Sequence, residues 1–166
     1  LVELIRGAAT SDATYAATRA MAEKMGKTTV VSKDYPGFIV NRILIPMLNE
    51  ACFVAGERLA SIPDIDAAMK LGCGHPMGPL ALADLIGLDV VFAMAKTMHT
   101  ELRDTRYRAP SLLRRLVLAN HLGRKSGRGI YEYANAANPV VNPAIADAVA
   151  SSALARSRHR ANVAVG

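Results

Sequence analysis

Four polar residues, at three places along the chain, interrupt apolar stretches or sit in a basic turn, and each place suggests a kind of chemistry. Glu3 breaks the short apolar run "LVELI". A carboxylate there is either an edge residue facing solvent or a buried group that orients a histidine base, and the residues alone favour solvent. Asn41 and Arg42 lie within "DYPGFIVNRILIPMLNEA", residues 34–51. Helical spacing puts Phe38, Asn41, Ile45 and Leu48 on one face, so the Asn41 amide must find a partner or cost roughly 1–3 kcal/mol. It is either tied to neighbouring backbone or aimed into a cleft. Arg42 points about 100° away around the helix, in a direction that pins the adjoining loop. Lys125 sits in "GRKSGRG", a basic turn that either touches a phosphate or is simply solvated.

Other familiar chemistry is not spelled out. There is no G-x-G-x-x-G, and neither "GCGHPMG" nor "GRKSGRG" has the order of a phosphate-cradling loop. Cys73 and His75 have no second ligand pair at zinc spacing, so no metal is expected. His99, His121 and His159 are scattered, and no Ser or Cys stands in a nucleophile elbow.

The elements that must position these residues change character along the chain. "LVELI", "SDATYAATRAMAEKMG" and "KTTVVSKD" read as strand, helix and strand, the repeating unit of a parallel sheet. Ser11 or Asp12 is the expected N-cap and Gly26 the stop. From Pro36 to about Gly123 the pattern is helical, with Pro36 in the first turn of a long helix and Pro46 inside it. "IYEYA" reads as a short extended piece. "NAANPVVNP" is linker-like, and the remainder is a weakly hydrophobic, helix-compatible stretch with a basic end, expected to be poorly anchored.

With 166 residues, 51% hydrophobic and 20% charged, the composition is that of a folded domain and argues against wholesale disorder. The net charge of +6 allows an anionic partner, but 5% aromatic residues and no Trp make a base-stacking surface improbable, and no nucleic acid is expected. No apolar run reaches the length of a membrane span, and no signal peptide is visible. Two cysteines form no disulfide framework, which fits a cytoplasmic setting.

Taken together, "LVELI", "KDYPGFIVNRILIPMLNEA", "IDAAMKLGCGHPMGPLALADLIGLD" and "HLGRKSGRGIYEY", in this order, resemble the 3-hydroxyacyl-CoA dehydrogenase family, particularly its 3-hydroxybutyryl-CoA members. The resemblance covers residues 1–133. It implies a mainly α fold: a helical C-terminal dehydrogenase domain of the 6-phosphogluconate dehydrogenase C-terminal-like type, preceded by the last strand–helix–strand of a truncated Rossmann domain. The expected divisions are 1–34 for the Rossmann remnant, 35–133 for the helical substrate and dimerisation domain, and 134–166 for a linker and tail.

The same resemblance implies oxidation of a 3-hydroxyacyl-CoA to its 3-keto form, with NAD as cofactor. It makes Glu3 the carboxylate of a Glu–His catalytic pair whose His precedes Leu1. It makes Asn41 a substrate-binding residue, Lys125 a residue near the cofactor and "HPMGP" an architectural turn. The expected partners are an acyl-CoA, the Rossmann half of the intact protein and a second copy of the chain. Because the dinucleotide fingerprint and the base are not among these residues, the chain alone is expected to be inactive. The competing expectation is a non-catalytic helical dimerisation module.

Overall fold

The computed structural model describes residues 1–145 and divides into two compact units, Leu1–Leu44 and a second from Ile45 onward. In the first, β1 (Val2–Arg6) and β2 (Thr29–Lys33) pair in parallel, with Val2 opposite Thr29 and Arg6 opposite Lys33. The crossover is α1 (Asp12–Lys24). Ser11 is its N-cap, accepting the Thr14 amide at 3.1 Å, and Asp12 and Lys24 match the helix dipole at opposite ends. Gly26, at φ +72°, ends it where a left-handed residue is needed. The expected strand–helix–strand is therefore present.

The start of the long helix differs from the expectation. Tyr35–Phe38 form a turn closed by the Phe38 amide on the Tyr35 carbonyl at 2.9 Å, with Gly37 at φ +83° and Phe38 at φ +47°. Two successive left-handed residues cannot belong to a right-handed helix. α2 therefore runs Val40–Glu57, and Asn41 lies in its first turn rather than its second. Pro46 is accommodated inside α2, at the loss of one main-chain donor.

The second unit is helical, as expected. α3 (Ile62–Gly72), α4 (Pro79–Ile86), α5 (Leu88–Leu102) and α6 (Ser111–Leu118) follow α2, and a short antiparallel pair, β3 (Tyr131–Glu132) and β4 (Val140–Val141), closes the described chain. Ile45, Leu48, Leu80, Ala83, Leu88, Val91, Ala95, Leu113 and Ile130 have no exposed surface and form the core. Among the described residues, no helix is long and apolar enough to cross a membrane.

Two buried carboxylates organise this core. Asp66, on α3, accepts the first-turn amides of α4 from Leu80 at 2.7 Å and Ala81 at 3.0 Å, and the Tyr131 hydroxyl at 2.7 Å. Since Pro79 opens α4 and Gly78 offers no side-chain cap, Asp66 supplies the cap from another helix. Asp84, on α4, accepts the amides of Ile130 and Tyr131 at 2.8 Å each and the Tyr133 hydroxyl at 2.9 Å. Burial holds the Asp84 carboxyl above the ordinary carboxylate range, and its three donors oppose that shift.

Glycines make room for both. A Cβ on Gly78 would collide with the Asp66 carboxylate, and one on Gly123 or Gly129 with Asp84. The turn "HPMGP" is thus architectural, and so are Gly123 and Gly129 of "GRKSGRG".

Residues 140–145, expected to be linker and the start of a poorly anchored tail, pack into the unit. Asn142 is 1% exposed. Its amide group donates to the Gly129 carbonyl at 2.6 Å, its backbone N–H donates to Ile130 at 3.0 Å, and His121 Nδ1 lies 3.0 Å away. Residues 146–166, including the basic end, lie outside the described residues.

Gly78→Ala should cost about 2–4 kcal/mol in urea unfolding, because the new methyl displaces the Asp66 cap. Asp84→Asn should cost about 2–3 kcal/mol at neutral pH, because an amide NH2 faces an N–H or O–H donor. The pH dependence has a definite sign. The folded state protonates Asp84 more readily than the unfolded chain does, so this group's contribution improves as pH falls from neutral toward the unfolded carboxylate pKa. The stability gap between the natural chain and Asp84→Asn should therefore widen over that range, as read from urea midpoints at successive pH values.

Candidate active site

Within the first unit, β1 carries Glu3 half-buried, and the turn into α2 meets it. Glu3 Oε1 accepts the Ile39 amide at 2.9 Å and the Val40 amide at 3.2 Å. The carboxylate is therefore neither a free solvent-facing group nor a buried orphan: it caps the start of α2. Its second oxygen, Oε2, takes no hydrogen bond from the described residues. Asn41 follows Val40 directly and is half-buried, and among the described residues nothing hydrogen-bonds its side-chain amide. Arg42 turns the other way, as its helical angle predicts, and stacks its guanidinium over the Tyr35 ring at 4.9 Å to the centroid. Arg42 thus pins the preceding loop, while Asn41 keeps its donors and acceptor available.

Lys125 belongs to the second unit. Its ammonium lies 2.5 and 2.7 Å from the two carboxylate oxygens of Asp89, at the start of α5. It also covers Gly87, where a Cβ would approach the ammonium at 3.0 Å. The hydrogen bond from Lys125 holds the Asp89 carboxyl below its ordinary range. Lys125 therefore has a structural partner that the sequence did not suggest. Both groups are partly exposed, at 47% and 38%, so the pair contributes little stability. Asp89→Asn should shift the unfolding free energy by less than about 1 kcal/mol in urea, whereas Gly87→Ala, at φ +103° and against the ammonium, should cost more.

Cys52 is buried, and burial pushes its thiol up to about 12, so it packs rather than reacts. No group of three or more His, Cys, Asp or Glu able to hold a metal occurs among the described residues. The tyrosine partners of Asp66 and Asp84, Tyr131 and Tyr133, carry no signal in the sequence around those carboxylates. The available signal was an Asp set into each of two apolar helices, "IDAAMKLG" and "LALADLIG".

Comparison with known proteins identifies the family. Residues 37–133 match the model for the 3-hydroxyacyl-CoA dehydrogenase C-terminal domain, and residues 1–35 match the NAD binding domain of the same family. A probable 3-hydroxybutyryl-CoA dehydrogenase from Bacillus subtilis is 54% identical over 133 residues, covering 80% of this chain and 46% of that protein. A 3-hydroxybutyryl-CoA dehydrogenase from Bradyrhizobium diazoefficiens is 53% identical over 136 residues, covering 82% of this chain and 46% of that one. The crystal structure of (S)-3-hydroxybutyryl-CoA dehydrogenase from Ralstonia eutropha superposes with a TM-score of 0.78 at 56% identity, covering 81% of this chain and 48% of that chain. The chain spans about half the length of the curated relatives it matches. A short parallel β-α-β piece of an NAD-binding domain, followed by a helical domain matched across residues 37–133, places the chain in the 3-hydroxyacyl-CoA dehydrogenase family.

Proposed function

We propose that this chain is the C-terminal portion of an NAD-dependent 3-hydroxybutyryl-CoA dehydrogenase, oxidising the 3-hydroxyl of a short 3-hydroxyacyl-CoA to a ketone. The observation that carries this reading is the pair of hydrogen bonds that ties Glu3, on β1, to the residues just before Asn41, with Glu3 Oε2 and the Asn41 amide left available. Glu3 accepts an N–H from the histidine base, fixing its tautomer and supporting the imidazolium that forms when the hydroxyl proton is taken. Asn41 donates to or accepts from the substrate near the reacting carbon. NAD, when bound, supplies the hydride acceptor.

Residues 1–35 contain no glycine-rich fingerprint, so they do not hold a dinucleotide by themselves. Lys125 enters the reading with its charge shared: it approaches the cofactor only as the Asp89 ion pair, not as an unpaired cation. The two free cysteines support a reducing, cytoplasmic setting.

A second reading, the helical dimerisation module, has its own observation. An apolar groove of about 450 Å³ is lined by Met47, Val54, Leu59, Ile65 and Met69, and Leu59 and Leu71 are 78% and 86% exposed. Burying such leucines against a second copy is favourable by about 1.5–3 kcal/mol each. A homodimer serves either reading, and catalysis separates them.

The test is acetoacetyl-CoA-dependent NADH oxidation by this chain, alone and mixed with a separately expressed dinucleotide-binding half from a relative, after light scattering and a pull-down establish dimerisation and association. No turnover alone and turnover on mixing is the expected outcome. Turnover by the chain alone would overturn the placement of the base and the cofactor site outside these residues, and none from an associated mixture would sink the dehydrogenase reading. The associated but silent mixture would favour the dimerisation module.

A further inference from the structure

The contact between Glu3 and α2 is asymmetric, and the asymmetry carries information. Both donors, Ile39 and Val40, converge on Oε1. The Ile39 carbonyl accepts the Ile43 amide at 3.3 Å, which makes Ile39 the N-cap and Val40 the first helical residue. An isoleucine has no side-chain oxygen to cap a helix, so the acceptor comes from β1. A carboxylate in this position is favoured by the hydrogen bonds and by the positive end of the helix dipole.

The turn that aims these amides is strained. Phe38, a bulky residue, is held at φ +47° directly after Gly37 at φ +83°. A bulky residue in the left-handed region persists only where its surroundings over-determine it, and such strain gathers at functional sites.

We propose that the backbone amides of Ile39 and Val40 position Glu3 for the reaction: by filling Oε1 they fix the rotation of the carboxylate and leave Oε2 as the oxygen offered to an imidazole N–H. This rests on the Glu–His reading of Glu3 given above. Ile39 and Val40 are positioning residues that act through the main chain. Because Asn41 is the next residue, the same two hydrogen bonds set the register of both groups that the reaction uses.

The asymmetry makes Gln a selective probe. At position 3, a Gln must turn its carbonyl toward the two amides, because its NH2 would meet them donor to donor. The NH2 then replaces Oε2 and meets the imidazole N–H in the same unfavourable way. Glu3→Gln therefore keeps the tether and loses the offered acceptor. Val40→Pro does the converse. Proline is favoured at the first helical position and tolerates an extended N-cap before it, so the helix survives while one donor to Oε1 is removed.

The experiment is NMR on this chain, reading couplings across hydrogen bonds from the Ile39 and Val40 amide nitrogens to the Glu3 side-chain carboxyl carbon. It is paired with kcat and KM after the dinucleotide-binding half is supplied. Both couplings should appear in the natural chain and in Glu3→Gln, and the Val40 coupling should vanish in Val40→Pro. Val40→Pro should lower kcat about tenfold at unchanged KM, and Val40→Ala, which returns the N–H, should restore it. Absent couplings in the natural chain, or undiminished kcat in Val40→Pro, would overturn the positioning role. Full turnover by Glu3→Gln with both couplings intact would overturn the dyad reading instead.

Discussion

A carboxylate that accepts main-chain N–H groups is the device on which this structure depends. Asp66 holds the first turn of α4, and Asp84 holds the backbone at Ile130 and Tyr131. Each joins segments distant in sequence, and each is almost wholly removed from water. An ionised group in such a place is tolerable only when its lone pairs are filled, and here amides and tyrosine hydroxyls fill them. The consequence runs outward. Gly78 and Gly129 are required by the space the carboxylates occupy and Gly123 by the backbone of Asp84, and the phenols of Tyr131 and Tyr133 are held protonated by burial and by their acidic partners.

The first unit uses the same device once more, in a looser setting. Glu3 crosses from β1 to the start of α2 and takes two amides on one oxygen. The difference is what remains. Asp84 has both oxygens engaged, whereas Glu3 has one oxygen to spare. A saturated carboxylate is a structural rivet, and an unsaturated one in the same kind of contact is a candidate reagent. That distinction separates Glu3 from the two aspartates better than burial or charge does.

Local signals made much of this legible in the sequence. The strand–helix–strand, the Ser11 cap, the Gly26 stop and the run of helices follow from short-range periodicity and end chemistry, and the structure contains them. The stacking of Arg42 on the Tyr35 loop follows from helical angle alone. What escaped depends on distant partners. Nothing near Asp66 or Asp84 in sequence names Tyr131 or Tyr133, and nothing near Lys125 names Asp89. The start of α2 was misread because Pro36 suits a first helical turn as well as it suits a β-turn, and the left-handed Phe38 has no compositional mark. Residues 135–143 read as linker because Asn and Pro dominate them, yet Asn142 makes five polar contacts.

Those contacts redefine where the helical unit can be cut. The family resemblance ends at residue 133, and a boundary drawn there looks natural. Such a cut would strip β4 from β3 and leave the carbonyls of Gly129 and Ile130 without the Asn142 donors that now meet them. The exposed edge would lie beside the turn that Asp84 secures. A minimal expression unit, or a domain graft onto another dinucleotide-binding half, therefore has its safe end point beyond Ile145, with the asparagine clasp carried along as part of the package.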